Sequence, residues 1–201
     1  MTNLDKIMKP KSVAVIGAST KEHTIGSDIM KRLHEYKFNG NIYPVNPKGG
    51  VIEGLQAYTS ILEVPGEVDL AIIVVNQKFV LDTIDQCHQK GVGGLVVITA
   101  GFKETGKEGA EAEKQLLAKV QEYGMRCVGP NCLGVVNTHP DVRLDGCFAE
   151  TLPERGHIAF VSQSGALGGG ILNILKDLNL GFSQFISIGN QADVNAETIM
   201  E

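Results

Sequence analysis

Val13-Ala14-Val15-Ile16-Gly17, followed by the polar run Ala18-Ser19-Thr20 and then by Ile25, Ile29, Met30 and Leu33, is the stretch that decides the fold. Apolar residues ending in glycine, a polar loop, and apolar residues at helical spacing read as strand, loop and helix. The alternation recurs downstream, with strands predicted over 42–45, 70–75, 95–99 and 125–128 and helices over 78–89 and 108–123. Strands without polar alternation are buried on both faces. The chain therefore reads as an α/β protein of the Rossmann type, a parallel sheet covered by helices and wound with right-handed crossovers.

Beyond Gly129 the periodicity loosens, and 137–155, which holds Pro140 and Pro153, reads as a linker or excursion between domains. A second unit follows, with a strand over 157–161, a helix over 166–178, a strand over 182–187 and the first turn of another helix over 197–201. Two strands and a helix and a half cannot bury a core of their own. The expected organisation is a ligand-binding domain over 1–137, a linker over 138–155 and a truncated second domain over 156–201, the chain being a fragment or one completed by a partner.

Composition narrows the function. The chain has 201 residues, 43% hydrophobic and 20% charged, a balance that folds around a core rather than staying disordered. A formal charge of −5, with Lys and Arg scattered, offers no footprint for a nucleic-acid backbone, so a phosphate ligand would have to be held locally. Cys87, Cys127, Cys132 and Cys147 lack Cys-x-x-Cys spacing, and His23, His34, His88, His139 and His157 are dispersed, so no metal site is expected. The polar start and the lack of a run of roughly 20 apolar residues exclude a signal peptide and a helical membrane span. The expectation is a cytoplasmic protein with reduced thiols.

In an open parallel sheet ligands sit beyond the carboxyl ends of the strands, and the informative residues fall there. Gly17-Ala18-Ser19-Thr20, running on to Gly26, allows a tight turn and close approach of backbone N–H groups to a diphosphate at a helix start. The alternative for Gly17 is a packing glycine, since the spacing is not Gly-x-Gly-x-x-Gly. After the second strand comes Val45-Asn46-Pro47-Lys48, where a nicotinamide site would want an acid for the ribose hydroxyls. A cation there suits a ribose phosphate, the 3′-phosphate of coenzyme A (CoA) or the 2′-phosphate of NADP, unless Lys48 is an ordinary surface lysine. Thr99-Ala100-Gly101-Phe102-Lys103-Glu104-Thr105-Gly106 is either a loop that closes over a ligand's arm or a plain strand-to-helix connection.

Gly129-Pro130-Asn131-Cys132-Leu133-Gly134 fixes its backbone around an amide that can hydrogen-bond a polar chain, or is a structural turn. Cys132 reads as a small buried residue rather than a nucleophile, because no histidine is placed to activate it. Ser162-Gln163-Ser164-Gly165-Ala166-Leu167-Gly168 combines hydroxyls, glycine and free helix N–H groups, an anion site unless the serines merely cap the helix. It lacks the leading glycine of a Gly-x-Ser-x-Gly hydrolase elbow.

Taken together, Gly17-Ala18-Ser19, Tyr43 to Lys48 (YPVNPK), Ile98 to Gly106 (ITAGFKETG), Gly129 to Asn137 (GPNCLGVVN) and Phe160 to Gly168 (FVSQSGALG) resemble the ADP-forming acetyl-CoA synthetases and their relatives, the succinyl-CoA synthetase alpha subunits. The resemblance covers almost the whole chain. It implies a first domain that binds CoA and a second that is flavodoxin-like. By position it gives Gly17, Ala18 and Ser19 the diphosphate, Lys48 the ribose phosphate, Val75 and Asn76 the adenine side, and Ala100, Gly101, Asn131 and Cys132 the neighbourhood of the pantetheine arm. Ser162, Gln163, Ser164 and Gly165 match a helix start that receives a phosphohistidine, and Glu201 matches the acid that orients that histidine.

The implied reaction interconverts acyl-CoA, ADP and phosphate with acid, CoA and ATP through an acyl phosphate and the phosphohistidine. ATP or ADP and Mg2+ bind elsewhere, on a grasp-type domain or beta subunit that partners the rest of the alpha region. The family usually has proline where this chain reads Val75-Asn76-Gln77. None of the five histidines matches its catalytic one, which would lie downstream. Two other readings stand beside it: a non-catalytic or regulatory CoA-binding module, such as the amino-terminal part of a protein with a fused acetyltransferase domain, which the sequence after Glu201 would separate, and an NADP-dependent oxidoreductase, which fits Ser162 to Gly168 badly.

Overall fold

The computed structural model describes residues 4–178 and 180–200. A short helix α1 (Asp5–Met8) precedes β1 (Ser12–Ile16), which is buried along its whole length, and α2 (Ile25–Glu35) follows. Thr24 starts α2 by accepting the Ser27 N–H on its hydroxyl at 3.3 Å. Next come β2 (Asn41–Val45), a small hairpin of β3 (Val51–Ile52) and β4 (Leu55–Gln56), then β5 (Leu70–Ile73), α3 (Val80–Lys90), β6 (Gly94–Val97), α4 (Lys107–Glu122) and β7 (Arg126–Val128). Five of these strands make one sheet in the order β2-β1-β5-β6-β7, parallel throughout. This is the doubly wound sheet read from the sequence.

The core explains why these strands lack polar alternation. Val13, Val15, Leu70, Ile72, Val96 and Val128 face one way, against Ile29, Met30 and Leu33 of α2. Ala14, Ile16, Ala71, Ile73, Leu95 and Val97 face the other, against Val80 and Ile84 of α3 and Leu116 and Val120 of α4. Each fully buried Val, Leu or Ile contributes about 1.5–3 kcal/mol, so both layers are required.

The stretch read as a linker is structured. It holds β9 (Leu144–Cys147), which pairs antiparallel with β8 (Gly134–Asn137). Then follow β10 (Arg155–Ser162), α5 (Gly165–Asp177), β11 (Phe182–Ser187) and α6 (Ala196–Met200). The second sheet has the order β10-β11-β8-β9, with β10 and β11 parallel and β11 antiparallel to β8. The β8–β9 hairpin also places Val135 and Leu144 in the α2 side of the first core. It escaped the sequence pattern because its strands are four residues long and Leu144-Asp145-Gly146-Cys147 reads as a turn.

Phe182, Phe185 and Leu172 form a third cluster under α5. Along α5 only Gly168 and Leu172 are buried, while Leu167, Ile174 and Leu178 are 58%, 58% and 61% exposed. Among the described residues no helix is long and apolar enough to cross a membrane.

Candidate functional site

The carboxyl ends of β1, β2, β5, β6 and β7 lie along one edge of the first sheet, and most of the residues singled out above fall on it. At the first loop Gly17 has φ 101, a left-handed conformation that favours glycine. Its carbonyl touches the start of α2 so closely that a Cβ at Gly26 would lie 2.1 Å from it. The two glycines therefore let the first loop wrap the helix start, where N–H groups have no intrahelical partner. Ser19 accepts the Lys21 N–H at 2.9 Å and shapes the same turn.

Asn46 joins this loop to the next one. Its Nδ2 donates to the Ala18 carbonyl at 2.7 Å and its Oδ1 accepts the Lys48 N–H at 2.8 Å. Lys48 is thereby held beside the Gly17 turn with its side chain exposed. Sequence reasoning saw Asn46 as the place where an acid was missing and overlooked that an amide, with one donor and one acceptor, ties two loops together.

Further along, the loops are linked in series. The Val74 N–H donates to the Ile16 carbonyl at 2.9 Å, the Thr99 hydroxyl donates to the Val75 carbonyl at 2.8 Å, and the Asn131 N–H donates to the Thr99 carbonyl at 3.0 Å. Val75 and Asn76 follow β5, with Asn76 exposed; Ala100 and Gly101 follow β6. Phe102 is fully buried in the α3–α4 core, so the one aromatic of that loop anchors it and is not free to cover a ligand. Glu104 folds back to accept the Gly101 and Phe102 N–H groups at 2.5 and 3.1 Å. Burial raises the Glu104 carboxyl, but hydrogen bonds from Asn190 and these amides outweigh it and hold it below the usual range.

The fifth loop meets the second unit. Asn131 has φ 57, a left-handed conformation that Asn tolerates better than most residues. With Cys132, Leu133, Phe148 and Glu150, and with Gln163, Ser164, Gly165 and Asn173 of the second unit, it lines a crevice of about 640 Å3. Cys132 turns its thiol to the Val97 carbonyl at 3.3 Å, and burial pushes that thiol up to about 12, so it holds no thiolate at neutral pH. Ser164 accepts the Leu167 N–H at 3.3 Å as the cap of α5, and the Ser162 hydroxyl is spent on the Ser164 carbonyl at 2.9 Å. The Gly165 and Ala166 N–H groups, in the first turn of α5, remain for a ligand. Capping and anion binding are thus compatible here.

The structure therefore gathers Asn131, Cys132, Gln163, Ser164 and Gly165 around one crevice and Gly17, Ala18, Ser19 and Lys48 around another turn of the same sheet edge. Gly17 and Lys48 do not line the crevice. Glu201 lies outside the described residues. Among the described residues no group of three or more His, Cys, Asp and Glu could hold a metal ion.

Two polar groups were missed. Asn190, after β11, donates to Glu104 and Glu113 and accepts from Asn131. Asp145 is fully buried on β9 beside Arg32 of α2, at 4.0 Å, and its Oδ2 has no hydrogen-bond partner among the described residues. Burial raises the Asp145 carboxyl to about 6, a shift that the Cys147 thiol donating to Oδ1 and the Arg32 guanidinium only reduce. Both groups act across long sequence separations, so no local pattern announces them.

The chain is similar to proteins of known family. The profile of the CoA binding domain matches residues 11–138, and that of the succinyl-CoA ligase like flavodoxin domain matches residues 155–201. The alpha subunit of ADP-forming acetate–CoA ligase II from Pyrococcus furiosus is 49% identical over 198 residues, which are 98% of this chain and 42% of that subunit. A crystal structure of a protein from Pyrococcus horikoshii OT3 superimposes with a TM-score of 0.94 at 50% identity, covering 98% of this chain and 44% of that one. Acetyl-CoA synthetase 1 of Candidatus Korarchaeum cryptofilum, solved with phosphate and ADP, superimposes with a TM-score of 0.94 at 40% identity, covering 100% of this chain and 42% of that one. The chain spans less than half the length of each of these relatives.

Proposed function

The chain belongs to the CoA-binding domain family, in the branch of the ADP-forming acetyl-CoA synthetases, and from that premise we propose that it is the CoA-binding region of an NDP-forming acyl-CoA synthetase. The observation that carries the reading is the sheet edge itself. A diphosphate cradle at Gly17 with Lys48 beside it runs through linked loops to a crevice where Asn131 faces the start of α5. A long ligand with phosphates at one end and a reactive group at the other fits that arrangement.

In this reading Gly17, Ala18 and Ser19 offer N–H groups to the diphosphate, and Lys48 neutralises the 3′-phosphate. Val75 and Asn76 flank the adenine, and Ala100, Gly101 and Asn131 guide the pantetheine arm to the crevice. There the acyl group passes from CoA to phosphate. The amides at Gly165 and Ala166, with the positive end of the α5 dipole, hold the phosphoryl oxygens as charge develops.

The phosphoryl group then moves to a histidine, releasing the acid, and from the histidine to ADP, giving ATP. None of the chain's histidines lines the crevice, so the reading assigns that histidine to other polypeptide. ADP and Mg2+ belong on an ATP-grasp partner or fused domain. The free edge of β10 and the apolar face of α5 are where the remainder of the flavodoxin-like domain would pack. The expected setting is the cytoplasm.

Calorimetric titration of the chain with CoA and with NADPH tests the proposal. Binding of CoA at about micromolar Kd, near −8 kcal/mol, with no heat from NADPH is expected. No heat at millimolar CoA, or preference for NADPH, refutes it.

A further inference from the structure

Asn190 is 5% exposed and uses every polar atom of its side chain. Its Nδ2 donates to Glu104 Oε2 at 2.6 Å and to Glu113 Oε2 at 2.7 Å, and its Oδ1 accepts from Asn131 Nδ2 at 3.3 Å. Ionised carboxylates accept hydrogen bonds and donate none. Lys103 closes the cluster, its Nζ 3.2 Å from Glu113 Oε1 and donating also to the Asn190 carbonyl. The backbone holds the same register, since the Asn190 N–H donates to the Pro130 carbonyl at 2.8 Å.

With two acceptors on one side, the Asn190 amide has a single orientation, NH2 toward the glutamates and oxygen toward Asn131. Asn131 must then present its own NH2 to Asn190. Its Oδ1 has no hydrogen-bond donor among the described residues, and Asn131 lines the crevice together with Gln163 and Ser164.

We propose that Asn190 is a positioning residue that fixes the polarity of Asn131, so that Asn131 offers the crevice a hydrogen-bond acceptor and selects a ligand group that donates, an amide N–H or a thiol. The inference rests on the reading that the arm of CoA enters this crevice and adds which atom meets it and with what sign. It also divides the crevice. Anionic oxygens are repelled from the Asn131 carbonyl and sent to the N–H groups at the start of α5, while the donor-bearing arm is kept on the Asn131 side.

The test compares CoA binding by the full chain with that of Asn131→Gly, which removes the amide and tolerates the left-handed backbone, and of Asn131→Asp, which has the same shape. In Asn131→Asp the new carboxyl faces the Asn190 oxygen. It restores the wild-type pattern only when protonated, its O–H donating to Asn190 and its C=O facing the crevice. The charged groups around it are Lys103, Glu104 and Glu113 through Asn190, and Glu150 on the crevice wall. The carboxylates favour the protonated form.

Relative to wild type at the same pH, Asn131→Gly is expected to bind CoA about tenfold more weakly at about pH 5.5 and about pH 8. Asn131→Asp is expected to stay within about threefold of wild type at the lower pH and to fall about tenfold at the higher. A thermal melt checks that both variants fold. If Asn131→Asp is as weak as Asn131→Gly at both pH values, the ligand needs a donor there and the proposal is wrong. If it binds like wild type at both, Asn190 exerts no hold on that side chain and the proposal is equally wrong. A wild-type chain that takes up no CoA instead refutes the functional reading beneath it.

Discussion

Lys48 and Asp145 are both charged residues, but the fold treats them in opposite ways. Lys48 is exposed and only its backbone is pinned, through Asn46, which leaves the ammonium able to meet a phosphate from solvent. Replacing it by alanine is expected to weaken CoA binding about tenfold, the worth of one charge-assisted contact, and to leave dephospho-CoA binding unchanged, because that ligand lacks the 3′-phosphate. Equal losses for the two ligands in calorimetry would place Lys48 elsewhere in the site. Asp145 is buried with one oxygen lacking a hydrogen bond among the described residues, and its carboxyl is raised to about 6 from an ordinary 3.8. The folded state therefore holds this proton more tightly than the unfolded one. The sign follows: the group costs nothing below about pH 4, costs more as pH rises through about 6, and its full penalty stands above that. Asp145→Asn is expected to raise stability at pH 8 by about 1–3 kcal/mol and to have little effect near pH 4, measured by urea unfolding at both pH values. A variant less stable than wild type at pH 8 would mean that the Arg32 pair outweighs the burial cost.

At the scale of elements, the contact between the first loop and α2 is the tightest test of how the cradle is made. A Cβ at Gly26 would overlap the Gly17 carbonyl. Gly26→Ala is therefore expected to cost about 1–3 kcal/mol of stability and to weaken CoA binding together with it, since the helix start must move away from the loop. A variant with unchanged melting temperature and unchanged affinity would show that the loop does not depend on this contact. The same scale shows how far sequence reading reaches. The strands of the first sheet and helices α2 to α5 were legible because each carries a run or a period of apolar residues longer than its noise. The β8–β9 hairpin was not, because four-residue strands that include Asp145 and Gly146 carry too few positions for a period, and their pairing is decided by packing against α2. In the candidate site, Gly17, Lys48, Asn131 and Ser164 could be named from loop chemistry. Asn46 and Asn190 could not be assigned roles, because an amide that joins two loops is recognised only when both loops are in place.

Across the whole molecule the two sheets are unequal. The first is closed by helices on both faces, whereas β10 is an edge strand and α5 leaves Leu167, Ile174 and Leu178 in solvent on one helical face. Apolar surface of this kind marks an interface. The loops of the first sheet and the helix start of the second unit nevertheless meet at one crevice. The central claim is that a single CoA molecule runs along that edge, and a crystal structure of the chain grown with CoA tests it most directly. The account predicts the diphosphate on the Gly17–Ser19 turn, the 3′-phosphate at Lys48, and the thiol end beside Asn131 with an N–H or S–H pointing at its Oδ1. CoA bound away from the carboxyl edge of the sheet, or an edge left vacant at saturating CoA, would contradict it.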